Sequence, residues 1–235
     1  GLNIHCISPR VSKEGLIMSE NDVKKNEVPQ NRDREFLADP WARTRTRNGL
    51  AADEVISALQ KSIRKGKERA ACEFAYEMYI SSPQMEEKLW RRLQAISVED
   101  IGMGNPKAPI LINSLNQMRQ NFSYNEPDRA MMFVHAIRYL CESTKDRSSD
   151  LLKNIIIKNF ALGYVPKIPD YALDKHTTRG KKMGRGSMHF LEVDSKVTPQ
   201  LKVNNHYWDE YHKIRENWDD SKVIPNAFKF NPYQI

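Results

Sequence analysis

The chain has 235 residues, of which 40% are hydrophobic and 29% charged, with 37 Lys and Arg against 30 Asp and Glu. That is enough apolar material for one good-sized domain with extensions, and two full domains would be crowded. At a mean hydropathy of -0.68 no stretch approaches the ~18 consecutive apolar residues of a spanning helix, so a membrane partner is not expected.

Cys6, Cys72 and Cys141 are widely spaced and odd in number, which fits reduced thiols better than a disulfide framework. The first fifteen residues lack a signal-peptide apolar core, and acidic residues follow them, unlike a transit peptide. An intracellular location is expected, with nuclear, cytoplasmic and organellar left open. The net charge of +7 points either to an anionic partner such as nucleic acid or to ordinary solubility.

Residues 1–48 are polar and mixed in charge, with Pro9, Pro29 and Pro40 and no apolar period, and read as a flexible or disordered arm ending at Asn48-Gly49. Within it Arg43, Arg45 and Arg47 alternate with small residues. An extended backbone would carry all three to one side, either to grip phosphates or as a solvated strip.

From Leu50 the spacing turns helical. Ile56, Leu59 and Ile63 share a face, while Lys61, Arg64 and Lys65 form a basic face that is either solvated or phosphate-binding. A second helix runs from Glu68 to Ile80 and stops before Pro83. A third follows on Met85, Leu89, Leu93 and Ile96, with Arg91 and Arg92 at its sides.

That helix is expected to end at Glu99-Asp100-Ile101-Gly102. Gly102 suits the cap, but two carboxylates in a last turn oppose the helix dipole, so the pattern calls for a neighbouring arginine or a ligand. Asn105-Pro106 reads as the start of a fourth helix through Ile110, Leu111, Leu115 and Met118. A fifth is marked by Ala130, Phe133, Ile137 and Leu140, and a sixth by Leu151, Leu152, Ile155, Ile156 and Phe160, ending at Gly163.

The resulting fold class is all-α, with stacked helical hairpins or a bundle over 49–165. Residues 166–235, with five prolines, read as an irregular basic and aromatic extension. Tyr207, Trp208, Tyr211 and Trp218 mark a short helix in it.

No G-x-x-x-x-G-K-[ST] run is present, so the sequence offers no phosphate-cradling loop of that kind. The block from Asp174 to Phe190 gathers Arg179, Lys181, Lys182 and Arg185 with His176, His189 and three glycines. It is either an anion or nucleic-acid contact or a basic surface loop. Neither histidine has metal-site spacing, so no metal is expected, and no cofactor. Cys72, Cys141 and His135 fall at helix-packing positions rather than in a catalytic constellation.

The block Ile56 to Arg64, then Arg91-Arg92-Leu93, Ser97-Val98-Glu99-Asp100-Ile101-Gly102 and Asn105-Pro106, resembles the C-terminal helical region of the RarA/MgsA replication-associated recombination ATPases, a group that includes the Werner helicase-interacting ATPases. The stretch Ala136 to Leu140, on to Lys145 and Ser148, is similar more loosely. The resemblance covers roughly residues 50–165, and the tail after Pro166 departs from it.

This likeness implies a fold related to clamp-loader collars that carries oligomerisation, beside an AAA+ core that binds ATP. Ser97, Glu99, Asp100 and Gly102 then belong to a shared helix-end motif without an implied catalytic role. The expected function is a non-catalytic, DNA-associated accessory and oligomerisation protein of replication, recombination or repair. Its expected partners are nucleic acid, further copies of itself and a separate AAA+ ATPase. The alternative is a scaffold subunit of a larger, ribonucleoprotein-like assembly.

Overall fold

A computed structural model describes residues 41–225 and 227; the rest of the arm, including Cys6, and the end of the tail lie outside the described residues. Among the described residues there is no strand, only one isolated bridge between Arg45 and Ala51. The all-α fold follows from the sequence as expected. The chain divides into two compact units after Ala161.

The first unit holds α1 (Ala52–Arg64), α2 (Glu68–Ser81), α3 (Pro83–Ile96), α4 (Ala108–Met118), α5 (Pro127–Glu142) and α6 (Ser148–Ala161). On α1 the fully buried positions are Ala52, Val55, Leu59 and Ile63, a stripe at spacings of three and four that turns one face inward. Consecutive helices are joined tightly. Ser82 ends α2 and caps α3, its hydroxyl accepting from the Met85 amide at 3.1 Å, with Pro83 in the first turn where its missing N–H costs nothing.

Trp90, Leu89, Leu93, Phe133 and Ile137 fill the centre. Beneath them Arg119, 1% exposed, bonds Glu86 at 2.7 Å and lies over the Trp90 ring, while Arg129 bonds Glu86 from the other side. A buried guanidinium needs such partners because desolvation would otherwise expel it.

One expectation is corrected. The fourth helix begins at Ala108 rather than at Pro106, and its buried face is Ala108, Ile112 and Leu115, leaving Ile110 72% exposed. Asn105 still accepts from the Lys107 amide through its side-chain oxygen at 3.3 Å, and its side-chain amide adds a tertiary tie, donating to the Tyr139 hydroxyl at 2.9 Å and to Ser143 at 3.0 Å at the end of α5.

The part of the arm within the described residues, 41–48, packs on the helices. Thr46 is buried, Asn48 donates to Glu77 through its amide at 2.9 Å and its side chain at 2.6 Å, and the Arg47 amide meets the Ser81 hydroxyl.

The second unit has a 3-10 turn at Asp170–Ala172, short helices α7 (Thr178–Lys182) and α8 (Ser187–His189), a wide turn at Phe190–Asp194 and a longer helix α9 (His206–Glu216). Trp218 lies beyond α9, outside the short helix expected to include it.

Candidate functional site

α3 does not run through to Gly102. It ends at Ile96, and Ser97–Ile101 form a wide π turn closed by Gly102 at φ 49°, a left-handed backbone that suits glycine. A β-carbon on Gly102 would stand 2.6 Å from the Asp146 carbonyl, and one on Gly104 2.2 Å from that of Thr144. The glycines therefore admit the 144–146 segment against this turn, where the Asp146 amide donates to the Asp100 carbonyl at 3.0 Å. Backbone contact of this kind seats the start of α6.

Ser97–Ile101 continue the helical run of α3, so both carboxylates still sit at a C-terminal end, and arginines offset the unfavourable dipole. The Asp100 side chain is 1% exposed and receives Arg64 Nε at 2.7 Å, Arg147 and, through its other oxygen, the Gln60 amide at 3.1 Å. Glu99 meets Arg64 at 3.1 Å and Arg92 and Arg147 at 3.5 Å each. The hydrogen bond to Asp100 holds the Arg147 guanidinium above its ordinary pKa.

Asp100 therefore joins α1, α3 and the α6 entrance in one buried network. Sequence reasoning anticipated an arginine there but not which one. Arg147 and Gln60 were missed, because partners 47 and 40 residues away leave no periodic trace, whereas Arg92 stands two turns before Glu99 on the same helical run.

α6 is the other unusual element. Leu151, Leu152, Ile155, Ile156, Ile157 and Phe160 are 49–57% exposed, and the helix buries no residue fully. At 100° per residue these side chains cover more than half of its circumference. An isolated helix of this length is marginal in water. Apolar exposure on this scale marks an interaction surface.

The expected basic contacts fall into several settings. Arg43, Arg45, Arg47, Lys61 and Lys65 are exposed on the first unit, whereas Arg64 spends its guanidinium on Asp100 and Glu99. In the second unit Arg179, Lys181 and Lys182 are exposed on α7. Arg185 is committed to the carboxylate of Asp170 and to the carbonyls of Asp170 and Leu173. Gly180 serves the fold: a β-carbon there would lie 2.0 Å from the Asp174 carbonyl.

The two histidines of the basic block pair with carboxylates, His176 with Asp174 and His189 with Asp194, each at 2.8 Å. Among the described residues no three His, Cys, Asp or Glu are grouped to hold a metal ion, and no helix is long and apolar enough to cross a membrane. Burial pushes the Cys141 thiol up to about 11 and raises Cys72 as well, the opposite of what an activated nucleophile needs.

His212 is raised above its usual 6.5, mainly by its hydrogen bond to Glu192 and then by Glu216. A raised folded value means that this pair's contribution to stability is complete below about 6.5 and is lost as pH climbs through the folded value. A proton-detected titration of His212 is expected to give a midpoint above 6.5, and Glu192→Gln to return it towards that value.

The all-helical first unit, with its glycine-closed turn carrying Ser97, Glu99 and Asp100 and α6 entered from that turn, holds the segments that resemble the RarA/MgsA C-terminal region. The family described as "MgsA AAA+ ATPase C terminal" matches residues 68–226, and the chain belongs to it. The tail after Pro166, expected to depart from the family, thus falls within the match. The chain is also 26% identical over 188 residues, 80% of its length, to Replication-associated recombination protein A of Bacillus subtilis (strain 168), and this stretch spans 39% of that protein.

Proposed function

We propose that this chain is a non-catalytic assembly module of the RarA/MgsA type, which self-associates through α6, serves an AAA+ ATPase partner and contacts nucleic acid through its exposed cations. The observation that carries the reading is the half-exposed apolar surface of α6. A second copy is an occupant that such a face admits, its apolar residues interdigitating with their equivalents; Asp150 is already held by Arg147 at 2.9 Å and Lys153 at 2.7 Å and takes no part.

The nucleic-acid part rests on Arg43, Arg45, Arg47, Lys61 and Lys65, and on Arg179, Lys181 and Lys182. None of these has a carboxylate partner among the ion pairs of the described residues. Phosphate contacts by such groups release counterions, so affinity falls steeply with salt and shows little base preference. Fluorescence anisotropy of the full chain with labelled DNA over a salt series tests this. The expected result is a linear fall of log affinity with log salt, and no binding at low salt would overturn the nucleic-acid part.

A further inference from the structure

We infer that the cavity where the end of α2 meets the start of α5 seats one unpaired nucleotide, its base on the Tyr76 ring and its phosphate on Arg47. This rests on the nucleic-acid part of the reading above and adds to it a place and a strand type.

The cavity measures about 430 Å³ and is lined by Tyr76, Tyr79 and Ile80 of α2, by Tyr124 and Asn125 ahead of α5, and by Arg47. Its rings divide into two kinds. Tyr79 and Tyr124 serve the fold: their ring centres lie 4.8 Å apart, Tyr79 is 6% exposed and packs on Phe133, and the Tyr124 hydroxyl donates to the Tyr79 carbonyl. Tyr76 stands 6.0 Å from Tyr79 and is 51% exposed, so it offers the cavity a ring surface that a second planar group can cover. Every base has such a face, and its stacking on an aromatic side chain is tolerant of sequence.

Arg47 supplies the charge. Its backbone is tied to α2, where its amide donates to the Ser81 hydroxyl at 2.9 Å and that hydroxyl donates to the Glu77 carbonyl at 2.6 Å. Binding then has to order the side chain but not the backbone that carries it. The nearby carboxylates are engaged elsewhere. Asn48 donates to both oxygens of Glu77, through its amide at 2.9 Å and its side chain at 2.6 Å, and Glu126, the acidic group of the cavity, accepts from the Ser123 amide at 2.8 Å. The Arg47 guanidinium is exposed and takes part in no ion pair among the described residues.

A guanidinium beside an aromatic surface matches the two halves of a nucleotide, a planar base and a phosphate that accepts paired N–H bonds. The Asn125 amide in the same cavity carries both a donor and an acceptor for a base edge. A duplex keeps that edge paired and that face stacked, which is why the cavity selects an unpaired nucleotide. An acidic peptide would use Arg47 alone and leave Tyr76 idle.

The test is fluorescence anisotropy of the full chain with labelled oligothymidine and with a blunt duplex of equal length, over a salt series. Tyr76→Ala is expected to weaken single-strand binding by about tenfold and duplex binding by far less, while Tyr76→Phe keeps most of the parent's affinity. Arg47→Ala is expected to reduce the salt slope for the single strand by about 0.7, the share of one phosphate. Thymidine monophosphate is added as a competitor: displacement of the strand assigns the cavity to a free nucleotide as well, and Tyr76-dependent binding without displacement assigns it to a nucleotide within a strand.

Because Tyr76 is half exposed, the Tyr76→Ala chain is expected to unfold near the parent's midpoint, which thermal unfolding checks; if that variant unfolds early, the Arg47→Ala slope decides, and an unchanged slope overturns the proposal. Single-strand binding equal to the parent's in Tyr76→Ala, or equal losses for strand and duplex, would overturn the nucleotide seat while the general nucleic-acid reading stands. Binding of a polyglutamate peptide, but of neither nucleic acid, would overturn both.

Discussion

Asp100→Ala is expected to lower the unfolding free energy by about 3 kcal/mol, read from urea denaturation, since removing one member of a buried ion-pair network strands the others. Asp100 is 1% exposed and accepts from Arg64, Arg147 and Gln60. Arg64 and Arg147 are themselves 31% and 38% exposed and retain Glu99, which sets the loss at the lower end for such networks. Glu99→Ala, at a position 28% exposed, is expected to cost about 1 kcal/mol or less because solvent screens it. Equal losses at the two positions would contradict the assignment of Asp100 as the buried keystone. Asp100 also holds Arg147 at the α6 entrance, so its loss is expected to loosen α6 as well.

The second large effect belongs to α6. Ile156→Glu introduces a carboxylate among Leu152, Ile155 and Phe160. In the isolated chain Ile156 is 49% exposed, so the folded monomer tolerates the change at little cost. In a covered interface the same carboxylate loses its water without gaining a partner, a cost of several kcal/mol. Self-association is therefore expected to weaken by roughly 100-fold or more, since each 1.4 kcal/mol is a factor of ten. Sedimentation velocity reads the change, and the thermal midpoint at high dilution is expected to stay near the parent's. Unaltered association in Ile156→Glu would move the interface away from α6.

Much of the first unit was legible in its periodicity. Leu59 and Ile63, Met85, Leu89, Leu93 and Ile96, and Phe133, Ile137 and Leu140 all take the buried places that their spacing assigns. The failures have physical causes. The start of α4 was set at Pro106 because Asn105 reads locally as a cap, whereas its side-chain amide is bound to Tyr139 and Ser143 some 34 and 38 residues away.

Glu99 and Asp100 announced themselves by clashing with a helix dipole, so the need for arginine could be read. The identity of Arg147 could not, since long-range pairing has no local signature, whereas Arg92 lies two turns before Glu99 and its spacing was there to be read. On α6, Leu151, Leu152, Ile155, Ile156 and Phe160 carry the same helical signature whether their cover comes from the same chain or from another. In the basic block Arg179, Lys181 and Lys182 are exposed, while Arg185 and Gly180 serve the local fold.

Light scattering coupled to size-exclusion chromatography, on the full chain over a dilution series at low and high salt, tests the assembly reading most directly. The account predicts a mass above that of one chain at micromolar concentration, kept at high salt because an apolar interface is not screened. A monomer at every concentration and in both salts would contradict it.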